Sequence, residues 1–336
     1  MKEKELYDWD NITIVPATLS DISSRSEINI LHNDKLPLFV SPMDMVIDYN
    51  NSKTFKDLGF EVCLPRGEND NSIDSFYSYS LSEVIDMIDN KIELPKRLLI
   101  DIANGHMKLL YETSKIIKED YNIELMVGNI ANPETYRKFA EIGVDYIRCG
   151  IGAGSGCTTS SNGAIHYPMA SLITECYEIS KEFEKPTKIV ADGGFKKFTD
   201  IIKALACGAD YVMLGGIVNK SLESASDNYK LVNDEYYKIL DSSALERFNS
   251  GESVYKYFRG MSTKEVQKKW GRKELKTAEG VSFYNKVEYK ISGWVENFSD
   301  YLKTNMSYSN IKDIKDYPKY VDIRKITPEA YNRFNK

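Results

Sequence analysis

No run of about 18 apolar residues occurs in the chain, so the sequence offers no helix able to span a bilayer. The opening Met1-Lys2-Glu3-Lys4-Glu5 leads into no apolar stretch of the kind a signal peptide requires, and a cytoplasmic location is the expectation. Basic residues are not in excess. A net charge of −6 argues against bulk nucleic-acid binding while leaving room for a local pocket that takes a phosphate. Histidine is scarce: His32, His106 and His166 show no metal-ligand spacing, which argues against a zinc site. The five cysteines (Cys63, Cys149, Cys157, Cys176, Cys207) are odd in number and form neither CxxC pairs nor a disulfide framework, so reduced and mostly buried thiols are expected. Internal repeats and low-complexity tracts are also missing.

What is present is ordinary globular composition, 42% hydrophobic with 28% charged residues, so the chain can bury a sizeable core. Its 336 residues would suit two average domains or one large barrel. Short apolar segments decide between these, because they alternate with helical patterns up to about residue 216. The segments are 36–41, 60–64, 76–79, 97–101, 124–128, 145–149, 188–192 and 211–215, the third polar and aromatic rather than aliphatic. Asn132-Pro133-Glu134 supplies a cap, a first-turn proline and an acid for a helix that Gly143 closes. Phe198, Ile201, Ile202 and Leu205 recur at helical spacing and would cover the sheet. Eight βα units in series predict a (β/α)8 TIM barrel, a single domain over 1–336, with catalytic residues at the C-terminal ends of its strands.

Polar motifs fall at those ends. Ser41-Pro42-Met43-Asp44, Asp101-Ile102-Ala103-Asn104-Gly105, Gly128-Asn129, Asp192-Gly193-Gly194 and Gly215-Gly216 each follow an apolar strand directly. Taken singly, each is also compatible with an ordinary turn. After strands seven and eight, such glycine pairs commonly bind phosphate through backbone amides. The densest motif is Gly150-Ile151-Gly152-Ala153-Gly154-Ser155-Gly156-Cys157-Thr158-Thr159-Ser160, which follows strand six. Its glycines let amides and carbonyls converge on a ligand, and Cys157 among hydroxyls suits a nucleophile; a tight turn with a bystander cysteine is the competing reading. Beyond residue 216 the pattern weakens. Residues 217–250 read as irregular, Tyr255 to Ser262 as a strand-like finger, 263–293 as a flap over the barrel mouth or a surface loop, Trp294 to Leu302 as a last helix, and 307–336 as a tail of no evident fold.

These motifs, in this order, resemble the IMP dehydrogenase and GMP reductase family, and the match runs from about residue 8 to about residue 310 with Arg-Gly-Met-Ser at 259–262 and Glu-Gly at 279–280. The resemblance implies that Cys157 attacks C2 of a purine nucleotide as thiolate, with Thr159 and Glu279 relaying a proton. It implies that Ser155, Asp192, Gly193, Gly194, Gly215 and Gly216 hold the 5′-phosphate and ribose, and that Gly260, Met261, Ser262, Ala278 and Gly280 address the base. Asp101, Ile102 and Ala103 would line the nicotinamide cofactor site, with Lys303 and Thr304 meeting the phosphate of NADPH from a neighbouring subunit of a homotetramer. The carbonyls of Gly152, Gly154 and Cys157 would bind potassium.

Three features lean toward the reductase branch: no room in 66–96 for the CBS modules usual in the dehydrogenase, no Arg-Tyr pair in 263–293, and the Asp-x-Ala-Asn-Gly form at Asp101. Reductive deamination of GMP is therefore expected. A CBS-less IMP dehydrogenase, a paralogue acting on a deoxy or base-modified nucleotide, and a non-catalytic purine-nucleotide-binding regulator are the alternatives. Departures from the family pattern keep them open. Ser160 stands where arginine is common, Cys63-Leu64-Pro65-Arg66-Gly67 replaces an Ile-His-Lys-His run, and His166 and Met169 replace a glycine and a glutamine. Arg259 and Ser41-Pro42 look more like the dehydrogenase.

Overall fold

A computed structural model describes residues 4–68, 72–154, 156–261, 263–269 and 280–334. Eight parallel strands close into a barrel: β1 (Leu38–Val40), β2 (Glu61–Leu64), β3 (Phe76–Tyr79), β4 (Arg97–Asp101), β5 (Glu124–Ile130), β6 (Tyr146–Cys149), β7 (Lys188–Asp192) and β8 (Tyr211–Leu214). The ring closes where β8 pairs with β1, Leu38 opposite Val212 and Val40 opposite Leu214. All eight predicted strands are present, including the aromatic third, whose four residues are buried. A parallel strand covered on both faces need not alternate in polarity, which is why β3 reads poorly as a strand in isolation.

The period of two along each strand divides the apolar residues into two cores. Phe39, Cys63, Phe76, Leu99, Met126, Val190, Tyr211 and Met213 point inward and fill the barrel, with Tyr146 packed against them. Their neighbours, among them Leu38, Val40, Leu98, Ile100, Val212 and Leu214, point outward into a larger core shared with the surrounding helices. Those helices start where the sequence provides caps. Ser80 and Glu83 form a capping box for Leu81–Asp89, and the Asn132 side chain accepts from the amide of Glu134 ahead of Pro133–Glu141. Phe198–Ala206 buries Ile201, Ile202 and Leu205 as expected, whereas Phe198 stays half-exposed.

Four expectations about the second half need correction. Residues 217–250 are not irregular: they form a hairpin, β9 (Asn228–Val232) and β10 (Glu235–Ile239), followed by the helix Asp241–Asn249. The turn residues Asn233 and Asp234 both take positive φ, the signature of a tight hairpin turn. The finger strand β11 (Tyr255–Arg259) pairs with β9 on one side and β12 (Ser282–Lys286) on the other, so part of the expected flap is sheet. The last helix runs Ile291–Tyr308 rather than 294–302, with Ile291, Trp294, Phe298, Leu302 and Met306 buried along one stripe. The tail is folded too: Asp322–Lys325 pairs antiparallel with Ile12–Val15, and Pro328–Phe334 is helical. Strand β2 ends at Leu64 and β3 begins at Phe76, which leaves no space for an inserted domain between them.

Candidate active site

One step beyond the apolar layer of the barrel interior, the alternation of β4 to β7 brings Asp101, Gly128, Arg148 and Asp192 to the inward face at the C-terminal end. Arg148 is buried there and bonds both acids. Its Nη1 donates to Oδ1 of Asp101 at 2.7 Å, and its Nη2 and Nε donate to Oδ2 of Asp192 at 2.8 and 3.1 Å. Burial opposes the guanidinium charge, yet the carboxylates of Asp192 and Asp101 outweigh it and hold its pKa above the ordinary value. Gly128 makes this possible, since a Cβ at that position would lie 2.4 Å from Cβ of Arg148. Asn129 Nδ2 donates to the same Asp192 oxygen at 2.7 Å and to the Gly150 carbonyl at 2.8 Å, joining the network to the cysteine loop. On the other side, Arg66 reaches Asp101, pairing with its carboxylate at 3.4 Å and donating to its backbone carbonyl. The loop after β4 is stitched to the loop after β5 by backbone bonds from Ile102 to Gly128, Asn129 to Ile102 and Gly105 to Asn129.

Above this network lies the loop 150–160. The Cys157 thiol donates to Oγ1 of Thr159 at 3.3 Å; once the sulfur is a thiolate, the same hydroxyl can donate to it. Cys157 is half-exposed, whereas Cys63, Cys149, Cys176 and Cys207 are buried, and burial pushes the Cys63 thiol well up and that of Cys207 to about 11. Gly193 and Gly194 pack on this loop, their Cβ positions falling 3.1 Å from the Gly154 nitrogen and 3.2 Å from the Ala153 oxygen. Gly215 lies beside Met43, and Gly216 opens the short helix Gly216–Asn219.

The finger is clasped to the nucleophile. Cys157 and Gly280 form an antiparallel bridge, the Val281 amide donates to the Gly156 carbonyl at 3.2 Å, and the Gly260 amide donates to the Val281 carbonyl at 3.0 Å. The approach depends on missing side chains, because a Cβ on Gly260 would sit 2.2 Å from the Gly156 oxygen. At the root of the finger, Arg259 Nη2 donates to Oδ2 of Asp44 at 2.9 Å, and its Nε lies 3.2 Å from Glu265. Buried Asn219 donates to the carbonyls of Met45 and Tyr257 and accepts from Asn285.

Cys157, Thr159, Gly152, Gly154, Asp192, Gly193, Gly194, Asp101, Ile102, Gly260 and Gly280 thus converge on one end of the barrel, with exposed Ala103 and half-buried Met261 on the same loops. Ser155, Ser262, Ala278 and Glu279 lie outside the described residues. Lys303 and Thr304 sit on the outer helix, where the Thr304 hydroxyl donates to the Asp300 carbonyl and accepts from Arg25. Arg148 is the residue the motif reading passed over, and its signal was a lone charge inside an apolar strand. The Gly152 carbonyl accepts from Oγ of Ser160 at 2.8 Å and the Gly154 carbonyl from the Cys157 amide at 2.9 Å. Each keeps a second lone pair, so the loop's oxygens still suit a hard monovalent cation. No cluster of His, Cys, Asp or Glu among the described residues could hold a metal ion, and none of their helices is long and apolar enough to cross a membrane.

A sequence model of the IMP dehydrogenase / GMP reductase domain matches residues 82–333, well over half of the chain. The inosine-5′-monophosphate dehydrogenase of Cryptosporidium parvum is 31% identical over 238 residues, covering 67% of this chain and 54% of that protein. That of Aquifex aeolicus is 29% identical, covering 67% of this chain and 44% of its own length. The chain therefore spans about half the length of these relatives. The GMP reductase of Caenorhabditis elegans is 24% identical over 357 aligned positions that cover 97% of this chain and 94% of that protein.

Proposed function

The chain belongs to the IMP dehydrogenase and GMP reductase family, and from that premise we propose that it is a GMP reductase, converting GMP, NADPH and protons into IMP, ammonium and NADP+ through a covalent adduct at Cys157. The observation that carries this reading is the half-exposed sulfur 3.3 Å from the Thr159 hydroxyl, at the barrel end where Asp192 and two glycine pairs gather. In this scheme Asp192 bonds the ribose, held in place by Arg148 and Asn129. The amides around Gly193, Gly194, Gly215 and Gly216, with Ser155, take the 5′-phosphate. Gly260, Met261, Ser262, Ala278 and Gly280 enclose the base.

The thiolate of Cys157 forms a bond to C2 of the purine. Thr159, backed by Glu279, passes a proton to the exocyclic amine, which leaves as ammonia. Bound beside Asp101, Ile102 and Ala103, NADPH would supply the hydride that C2 needs, and expulsion of the Cys157 thiolate then breaks the C–S bond and frees IMP. Asp101, Ile102 and Ala103 would border the nicotinamide, and Lys303 and Thr304 of a neighbouring copy in a homotetramer would meet the cofactor phosphate. The carbonyls of Gly152, Gly154 and Cys157 would hold potassium, steadying the loop. The setting is cytoplasmic, and the partner is a small nucleotide rather than a nucleic acid.

Layout supports the reductase branch: a GMP reductase aligns along nearly the whole of this chain, and β2 runs on to β3 without an insertion. The test is a panel of GMP, dGMP, IMP and XMP monitored by nicotinamide absorbance. GMP-dependent NADPH oxidation with ammonium release, abolished in Cys157→Ala, is expected. IMP-dependent reduction of NAD would establish the dehydrogenase instead, a reading that the Arg259–Asp44 pair at the finger root favours because Arg259 is dehydrogenase-like. Turnover restricted to dGMP or a modified base would identify a paralogue, and tight GMP binding with no turnover a regulator.

A further inference from the structure

We infer that the chain carries a second anion site, a cavity of about 620 Å³ that binds a nucleoside polyphosphate. Clefts that hold small molecules span roughly 300–1,000 Å³, so the space suits a ligand of nucleotide size. Four chain segments converge on it: the loop leaving β7, the short helix after β8, the helix Asp241–Asn249 through Phe248, and the segment that opens the last helix. Its chemistry is two-sided. Lys196, Lys197 and Lys290 stand exposed at the rim with no ion pair to a carboxylate among the described residues. Lys220, the fourth lysine, is already paired with Glu288, the one carboxylate near the apolar wall, at 2.7 Å. In a chain of net charge −6, three uncompensated ammonium groups around one cavity set a local field opposite to the molecule as a whole.

The wall behind them is aromatic. Phe198 and Trp294 lie with ring centroids 5.2 Å apart, and Tyr289 flanks Trp294 at 6.5 Å. Trp294 is buried and stacked on Phe298, so the ring surface open to an occupant is that of half-buried Phe198 and Tyr289. Such surface beside a cluster of cations matches a planar base joined to several phosphates, since bases stack on aromatic side chains without needing specific hydrogen bonds. A phosphate alone would leave that wall unused. None of Cys157, Asp192, Gly193 or Gly194 borders the cavity. Yet Lys196 and Lys197 follow Gly193 and Gly194 with only Phe195 between, and Ile217 and Lys220 follow Gly215 and Gly216. An occupant would therefore grip the far ends of the two loops assigned to the substrate phosphate.

Trp294 provides a readout that needs no turnover. The full chain, as wild type and as Cys157→Ala, is titrated with ATP, GTP and inorganic triphosphate while tryptophan emission is followed. Saturable quenching by a nucleoside triphosphate, retained in Cys157→Ala and in saturating GMP, is expected. Binding should weaken at least tenfold in Lys196→Glu/Lys197→Glu/Lys290→Glu, with far-UV circular dichroism unchanged, and should fall as salt rises. Trp294→Phe should lose the optical signal while calorimetry still detects binding. The inference is overturned by absence of saturable binding, by equal binding in the glutamate variant, by displacement with GMP, or by inorganic triphosphate binding as tightly as the nucleotides. Since Cys157→Ala cannot turn over in the proposed chemistry, failure here is separable from failure of the reductase reading.

Discussion

Replacing Arg148 by methionine tests whether the polar layer at the barrel mouth is held by charge. The guanidinium is buried, with side-chain exposures of 7% for Arg148, 12% for Asp192 and 18% for Asp101, so little solvent screening offsets its loss. Removing one partner of such a buried pair typically costs about 3–5 kcal/mol, because the charges left behind are unpaired and desolvated. Here Asp192 would keep only the hydrogen bond from Asn129, while Asp101 would keep Arg66 at 3.4 Å. For a chain of this size that cost corresponds to a fall of the unfolding midpoint on the order of 4–7 °C.

The pH dependence fixes the cause. In Arg148→Met the cation that compensates the buried negative charge is gone, and taking up a proton relieves that charge. Proton uptake by the native variant then stabilises it toward acid, so its stability falls as pH climbs out of the carboxylate range. The gap between wild type and variant should be widest near pH 8 and shrink toward pH 4.5. Urea unfolding at both pH values is the assay, with Arg148→Met/Asp192→Asn expected to recover a substantial part of the loss. A loss below about 1 kcal/mol, or one independent of pH, would mean that Arg148 contributes packing rather than charge, and the account of the layer would be wrong.

Three further outcomes follow from particular contacts. A thiol reagent applied to the folded protein should label Cys157 ahead of the four buried cysteines, and GMP should protect it; peptide mapping that finds another cysteine modified first contradicts the site assignment. Gly260→Ala should cut kcat/KM at least tenfold, about 1.4 kcal/mol, because the new Cβ would fall 2.2 Å from the Gly156 oxygen and push the finger off the nucleophile loop; wild-type kinetics would refute the clasp. Lys256, buried with its Nζ donating to the carbonyls of Ser224 and Ser226, has its pKa lowered by burial to about 8. The folded state then binds fewer protons than the unfolded one between pH 8 and about 10.5, so stability should rise across that range by up to about 3 kcal/mol. Lys256→Met should abolish this slope.

How much of this was legible in the residues depends on how local each signal is. The barrel strands were readable because βα units punctuate themselves: Asn132-Pro133 opens a helix, Gly143 ends it, and a short apolar run follows. The hairpin 228–239 was not, because an exposed sheet with tyrosines and lysines on both strands lacks the clean alternation that marks a strand. The strand Asp322–Lys325 exists only through its pairing with Ile12–Val15, more than 300 residues away in sequence, and no local pattern encodes that partner. The last helix was read short at its start because Gly293 falls in its first turn.

The site divides along the same line. Glycine-rich loops announce themselves by composition, so Gly152, Gly154, Gly193 and Gly194 could be named before any fold was known. The groups that fix those loops could not, since their partners come from other strands. Asp192 is held by Asn129 and Arg148, and Asp101 by Arg148 and Arg66, across five different βα units. Yet one inference was within reach: once β6 is taken as a barrel strand, alternation from Tyr146 puts Arg148 on the inward face, where a lone cation demands acidic partners. The polar residues ending the neighbouring strands at the same height, Asp101 and Asp192, are the ones that supply them. The charged layer is thus a consequence of barrel geometry acting on three strand ends, and the nucleophile loop inherits its position from that layer through the bond from Asn129 to the Gly150 carbonyl.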